Sequence, residues 1–523
     1  MEYLVSDPSR IATFRYLDEA RLRLIEEAAV FIHRTFVDTF DWSVYQAGAT
    51  LEWHQTSAGA TLIWNSLTEN GDRLEQDAPE QPGFPADLPP GAIREQLIKI
   101  VAPRRLLPMM VIETSESTHR LLNEDDQILA RLVLRRSRFK DPRSVAMGDL
   151  RTRLCLIPLP GHEEQGETVL NALSDELGLA HADTPLLFEA LSAAGQQPAD
   201  YSGKINHQLE PQGRADAATK EVLRTLFATL EANLEGTRTN LDSEFLHDLR
   251  VATRRIRSAL GQIRRVFPDD LVAHFKGEFA WLQEVTGPVR DLDVYLLEFD
   301  SYQQALPPAL RPNLEPLRTY LHSHYAERQG ELVAALESDR FVRLCEDWRA
   351  FLADPLPVQT TAPNGSRPIK WVADRRIRAL AKRVSREGRA IRPDSPPDDL
   401  HELRKSCKKL RYLMEFFQSL YPRDQIRPLI GHLKVLLDNL GDFQDRTVQA
   451  AHLRDLARAM LEEGQASSDT LLAIGAVVGR LLANQQQARE EFTLVFETFL
   501  SAEHQQGFRT LLAPAPKEGD ETP

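Results

Sequence analysis

Cysteine is scarce in this sequence: three residues in 523, at positions 155, 345 and 407, with no CxxC spacing. That excludes a disulfide framework and a cysteine zinc site, and it fits a reducing cytoplasm. Long apolar runs are missing as well, so no membrane span is expected. The opening MEYLVSDPSR has neither the basic region nor the apolar core of a secretory signal. No P-loop and no GxGxxG occurs, so a nucleotide is not implied and no cofactor is expected. Aromatic residues make up only 7% of the chain and, Tyr412 aside, do not interleave with its clustered cations. Base-stacking platforms are therefore lacking, which disfavours single-stranded nucleic acid as a partner.

What is present is a globular composition, 42% hydrophobic and 27% charged, on a chain long enough for two or three domains. The net charge is −14, but it is unevenly placed. Residues 1–200 carry 19 Lys+Arg against 31 Asp+Glu, and residues 201–523 carry 44 against 46. Near-balance with the basic residues in clusters points to a defined anion site, not a diffuse basic coat.

The pattern predicts a mixed α/β domain over 1–205, with strands near Thr50–Trp53, Ala60–Trp64, Met110–Glu113 and Ile128–Leu134. Helical patterns surround Leu22–Phe31 and Thr168–Leu177, and Gln196–Arg214 reads as a linker. A helical domain is predicted over 215–512, as repeat one (215–353) and repeat two (369–512), followed by a disordered tail at 513–523. Its helices are expected near 217–236, 243–266, 270–286, 289–305, 312–352, 370–386, 398–420, 424–440, 443–463 and 468–510.

The repeat itself is direct. HDLRVATRRIRSAL at His247 and HELRKSCKKLRYLM at His401 share a register that continues without a gap through Phe267/Tyr421, Gly277/Gly431, Leu282/Leu436, Gly287/Gly441, Asp291/Asp445 and Val294/Val448. Two copies of one helical unit related by a pseudo-two-fold axis follow.

On a helical wheel of about 100° per residue with His247 at zero, Arg250, Arg254 and Arg257 fall at about 280–340°, while Leu249, Ile256 and Leu260 fall at about 180–220°. His401, Arg404, Lys408 and Arg411 repeat the first stripe, and Leu403, Leu410 and Met414 the second. Arg255, Lys405 and Lys409 widen the basic face. One basic helix face is usually just solvated surface. Two in register, almost without acidic residues, keep a like-charge repulsion of a few tenths of a kcal/mol (roughly) per pair, which a bound anion would relieve. Each histidine is expected to open its helix as a neutral hydrogen-bond donor to phosphate, and neither copy offers a carboxylate or second histidine for a metal. Arginine grips phosphate oxygens in a bidentate fork, and lysine adds a point charge.

At these residues the chain resembles the CHAD family, the conserved histidine α-helical domain, over roughly 217–510. GPVRDLDV and GDFQDRTV are similar to the segments that follow its signature helices. The resemblance implies two pseudo-symmetric four-helix bundles around a basic cavity that binds inorganic polyphosphate. It implies that His247, Arg250, Arg254, Arg255, Arg257, His401, Arg404, Lys405, Lys408, Lys409 and Arg411 line this cavity, with Arg290 and Lys434 as secondary positions. Ala280 stands opposite Lys434 in the repeat and Gln444 opposite Arg290, so unequal halves are expected.

The first domain resembles a degenerate CYTH, or triphosphate tunnel, domain, most clearly in VDTFDWSVYQAGATLEW (Val37–Trp53). That resemblance implies a fold of class α+β: an antiparallel β tunnel, then the all-α domain. EYLVSD lacks the ExExK pattern of that family, Glu52 and Trp53 stand where arginines are expected, and RTRLCLIPL (Arg151–Leu159) replaces an acidic strand. The domain is therefore expected to be non-catalytic, and the protein to be a cytoplasmic polyphosphate binder, associated with polyphosphate granules. The alternatives are a metal-dependent triphosphatase of CYTH type and a nucleic-acid or protein scaffold.

Overall fold

The computed structural model describes residues 2–7, 17, 20–57, 59–68, 71–203, 205–358 and 360–513. The chain divides into two compact units, Met1–Ser202 and Gly203–Pro523. Of the tail expected at 513–523, residues 514–523 lie outside the described residues.

The strands of the first unit are β1 (Glu2–Val5), β2 (Arg23–Glu26), β3 (Val30–Asp38), β4 (Ala49–Thr56), β5 (Gly59–Ser66), β6 (Arg73–Asp77), β7 (Leu107–Leu122), β8 (Ile128–Lys140), β9 (Met147–Asp149), β10 (Thr152–Pro158) and β11 (Ala180–His181). Among the described residues they form one antiparallel sheet in the order β11-β1-β10-β8-β7-β3-β4-β5-β6, with β2 added to β7 and β9 to β8. Among the described residues four α-helices accompany it: α1 (Ser43–Gln46), α2 (Ala92–Val101), α3 (Glu163–Leu177) and α4 (Leu186–Ala193).

Strand alternation sorts the side chains. On β4, Leu51 and Trp53 enter an apolar cluster with Ile93 and Leu97 of α2, while Glu52 and His54 line a cavity on the other face. Leu132 and Leu134 of β8 and Leu154 of β10 pack under Val169 and Leu173 of α3, which turns Arg135 and Arg153 towards that cavity.

The helix expected around Leu22–Phe31 is instead β2 and the start of β3. Its apolar spacing suits either period, and pairing with the 16-residue β7 decides in favour of strand.

The second unit is helical: α5 (Ala215–Ala232), α6 (Leu234–Arg238), α7 (Ser243–Gln262), α8 (Asp269–Val285), α9 (Gly287–Ala305), α10 (Glu315–Glu337), α11 (Asp339–Ala353), α12 (Ile369–Ala390), α13 (Pro397–Phe416), α14 (Arg423–Glu462), α15 (Ser468–Phe499) and α16 (Ala502–Leu511). In the repeat register, Ala215 of α5 corresponds to Ile369 of α12, and both ends of α7 correspond to both ends of α13. The α8 start at Asp269 corresponds to the α14 start at Arg423.

Helix boundaries differ from expectation at several places, three of them with a clear physical cause. The helix expected over 312–352 breaks at Ser338, whose extended backbone lets its side chain cap Phe341 N at 3.3 Å. The one expected over 468–510 breaks in the same way, with Ser501 capping His504 N at 3.3 Å. Conversely, the break expected between 440 and 443 is absent, and α14 runs straight through Gly441. A helical glycine costs only about 1 kcal/mol, less than exposing the buried Leu440 and Phe443 beside it.

The symmetry axis is visible in the backbone. Arg214 and Pro368, equivalent positions of the two repeats, form an antiparallel bridge with each other. Ala215 N donates to Arg367 O at 2.8 Å, and its counterpart Ile369 N donates to Gly213 O at 2.9 Å. A second equivalent pair lies between α9 and the latter half of α14. There the Tyr295 hydroxyl is 3.1 Å from His452 Nδ1, and Gln449 Nε2 donates to Glu298 at 3.2 Å.

The apolar clusters do not separate by repeat. The larger joins α5, α7, α8 and α11 to α12, α13, α16 and the first part of α14. The smaller is built from α9, α10, the end of α14 and α15. Each cluster draws on both copies.

Candidate functional site

The site begins with how α7 and α13 are seated. Asp242 caps α7 by accepting from Glu244 N at 2.9 Å and Phe245 N at 3.3 Å. Pro397 opens α13, with Asp398 and Asp399 in its first turn. Leu249, Ile256, Leu403, Leu410 and Met414 are fully buried, which fixes the rotation of each helix and leaves the stripes on the other side. The histidines do not open these helices as expected; His247 and His401 lie a turn inside them, and both are half-buried.

Arg250 and Arg404 occupy equivalent environments. Arg250 Nη1 donates to Gln283 O at 2.8 Å and to the Thr286 hydroxyl at 2.7 Å, beside Gly287. Arg404 lies over Gly441 and reaches Asp445 at 3.1 Å. In both copies the glycine leaves room for a guanidinium against the following helix, and the aspartate one turn later supplies a countercharge. Burial pushes the Arg250 guanidinium down to about 10, Asp291 opposes this, and Arg254 and Arg290 add to it.

The two stripes meet at equivalent residues, Arg254 of α7 and Lys408 of α13. Arg254 Nε donates to the Tyr412 hydroxyl of α13 at 3.1 Å. Burial pushes the Lys408 ammonium down to about 8, helped by the Arg404, Arg254 and Arg411 charges around it. Arg250, Arg254, Lys408, Arg404 and Arg411 thus form one contiguous cationic group spanning both repeats. A cavity of about 400 Å³ opens on it, lined by Arg404, Lys408, Arg411 and Tyr412 on one side and Asp438, Asp442 and Asp445 on the other.

Arg404, which lines this cavity, carries a donor without a partner, and so does Arg257 further along α7. Arg257 Nε and Arg404 Nε are buried without a hydrogen-bond partner among the described residues. A guanidinium Nε can only donate, so Arg404 Nε is disposed to meet an acceptor that a ligand or solvent brings.

The remaining expected positions are placed differently. Arg255 is held by Glu415 at 2.8 Å and by Gly203 O at 2.9 Å, a structural tie. Lys405 pairs with Glu402 at 2.8 Å on the exposed side. Burial lowers the Lys409 ammonium, and its charged neighbours are Arg383, Glu402, Lys405 and Glu387, away from Arg254. Arg290 sits 3.7 Å from Glu244 and 3.9 Å from Asp293, and Lys434 is exposed. Sequence reasoning missed Glu415, which also accepts from Arg411 Nε at 2.7 Å. Only its spacing of four from Arg411 could have suggested it.

The first unit has a second polar cavity, of about 500 Å³, with Arg34, Arg73, Arg135 and Arg153 facing Glu2 and Glu52. The expectation that the charges needed there are missing is therefore corrected: arginines and glutamates are present, recruited from other strand positions. They are largely engaged with one another. Arg153 bonds Glu2 at 3.0 Å and Glu189 at 2.7 Å, Arg135 bonds Glu2 and Glu116, and Glu52 accepts from Asn65 at 2.7 Å. Trp53 points into the apolar cluster and donates to Ala78 O at 2.9 Å. Among the described residues no group of three or more His, Cys, Asp or Glu is arranged to hold a metal ion. No helix among them is long and apolar enough to cross a membrane.

Comparison with known proteins gives a family model, described as the CHAD domain, that matches residues 221–454. The uncharacterized protein Rv2226 of Mycobacterium tuberculosis is 29% identical over 305 residues, which cover 54% of this chain. The match spans 56% of that protein, a little over half its length. The crystal structure of the CHAD domain from the plant Ricinus communis is similar at 22% identity, covering 58% of this chain and 95% of that one, with a TM-score of 0.47. The sheet unit has a more distant likeness to a putative adenylyl cyclase from Hippeastrum described as having a dominant triphosphatase activity. There the identity is 13%, the coverage 39% of this chain and 98% of that one, and the TM-score 0.27. Both signature helices lie inside the matched segment, and residues 221–454 of this chain are a CHAD domain that follows an antiparallel sheet unit.

Proposed function

We propose that the helical unit captures inorganic polyphosphate in the basic hollow between α7 and α13, and that this directs the protein to polyphosphate-rich bodies. CHAD domains as a family are linked to polyphosphate binding. The observation that carries the reading here is the juxtaposition of Arg254 and Lys408, which fuses two cationic stripes into one. Like charges held this close, with the Arg404 Nε donor beside them, are relieved by a ligand that brings many oxygens and negative charge at short spacing. A string of phosphates does so. The three aspartates across the cavity restrict where such a chain can lie, and they favour the Arg254 side. Retention on immobilised long-chain polyphosphate at moderate salt tests the reading, with RNA as competitor. Failure to be retained, or displacement by RNA at equal charge, would overturn it.

A second reading concerns the sheet unit. Its cavity holds four arginines and at least two glutamates, the residue types that metal-assisted triphosphate hydrolysis uses. We keep the non-catalytic reading because Glu2, Arg135, Arg153 and Glu189 are bonded to each other and the cavity's carboxylates form no metal-holding group among the described residues. Release of phosphate from triphosphate with magnesium or manganese, lost on Arg135→Ala, would reverse that choice.

A further inference from the structure

The outer face of α12 is strongly basic. The helix carries eight basic residues against two acidic ones. Ile369, Val372, Ala373, Ile377, Leu380 and Val384 are buried, which turns the basic residues to the opposite side. There α12 and α16 enclose a groove of about 800 Å³. Arg378, Lys382, Ser385, Arg386 and Arg389 line one wall, and Arg509 stands on the other. These α12 positions recur at three- and four-residue spacing, so they lie along one helix edge. Among the described residues no carboxylate lines the groove.

The two acidic residues of α12 do not neutralise this edge. Glu387 is bound by Arg383, and Asp374 by Lys370 and the Tyr421 hydroxyl, the latter at 2.8 Å. Nor does the fold require the cations. In the equivalent helix of repeat one, α5 and its extension, Ala228, Glu231, Ala232 and Glu235 stand where Lys382, Ser385, Arg386 and Arg389 stand here. The same scaffold therefore folds with a neutral-to-acidic face, and Glu231 there is bound by Arg349 at 2.6 Å. The repulsion along α12 is a property of one copy alone.

We propose that the α12–α16 groove is a second, independent binding site for a linear chain of phosphates, separate from the hollow between α7 and α13. The groove's own chemistry selects the ligand class. Every charged side chain among its described lining residues is a cation, set beside Ala381, Phe508 and Leu512, and Trp371, at the start of the helix, lies against the guanidinium groups of Arg367 and Arg375 at 5.6 and 5.3 Å from its ring centre. Phe508, an aromatic ring in the lining, is packed on the apolar core and against the His504 ring at 5.1 Å, whereas a ligand with bases would need an open aromatic face to stack on. A bare phosphate chain needs only the charges. The choice of polyphosphate over other phosphate chains rests on the proposed function; the existence of the site does not.

The test is calorimetric titration of the full chain with short-chain inorganic polyphosphate, and separately with single-stranded RNA. Wild-type protein is expected to show two classes of site. The variant Lys382→Ala/Arg386→Ala/Arg389→Ala, altered at solvent-facing groove positions where alanine favours helix, should lose the weaker class by roughly tenfold or more and keep the tighter one. The variant Arg254→Ala/Lys408→Ala should do the reverse. A triple variant that titrates like wild type overturns the groove and leaves the central hollow standing. Loss of both classes in the central variant overturns the groove's independence. A triple variant that loses RNA while keeping both polyphosphate classes overturns the ligand assignment. Persistence of the tighter class in the central variant sinks the central reading and spares this one.

Discussion

Arg254 Nε donates to the Tyr412 hydroxyl at 3.1 Å and, with the neighbouring Arg255–Glu415 pair, joins the signature helix of one repeat to that of the other. Tyr412 is buried and its neighbour Arg255 lies 5.7 Å from its ring, so Arg254 is anchored at one nitrogen and keeps the rest of its fork available. The double variant Arg254→Ala/Lys408→Ala is expected to weaken polyphosphate binding by roughly 10- to 100-fold, the worth of one or two charge-assisted hydrogen bonds. Fluorescence anisotropy with labelled polyphosphate measures this, and unchanged circular dichroism excludes unfolding as the cause.

Lys408 gives the binding a pH dependence. Its ammonium is pushed down to about 8, so its charge is lost as pH rises through that value, well before an ordinary lysine would lose it. An anion binds the protonated form, and affinity should therefore fall between about pH 7 and 9 by up to about tenfold. Lys408→Arg keeps its charge across this range and should flatten the profile. A steep decline that persists in Lys408→Arg would place the titrating group elsewhere.

Ionic strength offers a further check. Binding by four or five cations releases condensed counterions, so log affinity against log salt should be linear with a slope near −3 to −4 (roughly), by analogy with single-stranded nucleic acid. Arg404→Ala should reduce that slope by about one unit or less. Measuring Kd at several salt concentrations decides it.

Glu415 ties Arg255 and Arg411 together, at 2.8 and 2.7 Å, with little of its side chain exposed. Replacing it by glutamine leaves Arg255 buried beside a neutral partner. Glu415→Gln should lose about 1–3 kcal/mol in urea unfolding, since removing one member of a buried ion pair strands the other. The same variant frees Arg411 and should bind polyphosphate more tightly.

Core packing predicts a larger loss. Leu403 is fully buried on the inner face of α13. Leu403→Ala should cost about 2–5 kcal/mol, whereas Lys405→Ala on the exposed side of the same helix should cost less than about 1 kcal/mol. Equal losses would contradict the rotation assigned to α13.

The helical half was legible because its determinants are local. The period that buries Leu249, Ile256, Leu403 and Leu410 is the same one that displays Arg250, Arg254, Arg404 and Lys408. The repeat register then located equivalent residues before any contact was known. Partners contributed from elsewhere were not legible. Arg255 and Lys409 belong to the same run of basic residues, yet Glu415 takes one and the charges of α12 surround the other. The sheet unit was harder for a similar reason. Its cavity is assembled from residues on β1, β3, β4, β5, β6, β8 and β10, and pairing register, which no short motif records, decides which of them face inward. Leu22–Phe31 was misread because the strand that fixes its conformation lies about 90 residues further along the chain.

The bridge between Arg214 and Pro368 puts the dyad through the seam of the helical unit. A linear phosphate polymer reads the same from either end, so a host with this symmetry can accept it in both directions with matching contacts. Only positions where the copies have diverged, such as Arg290 opposite Gln444 and Lys434 opposite Ala280, could tell one polarity from the other.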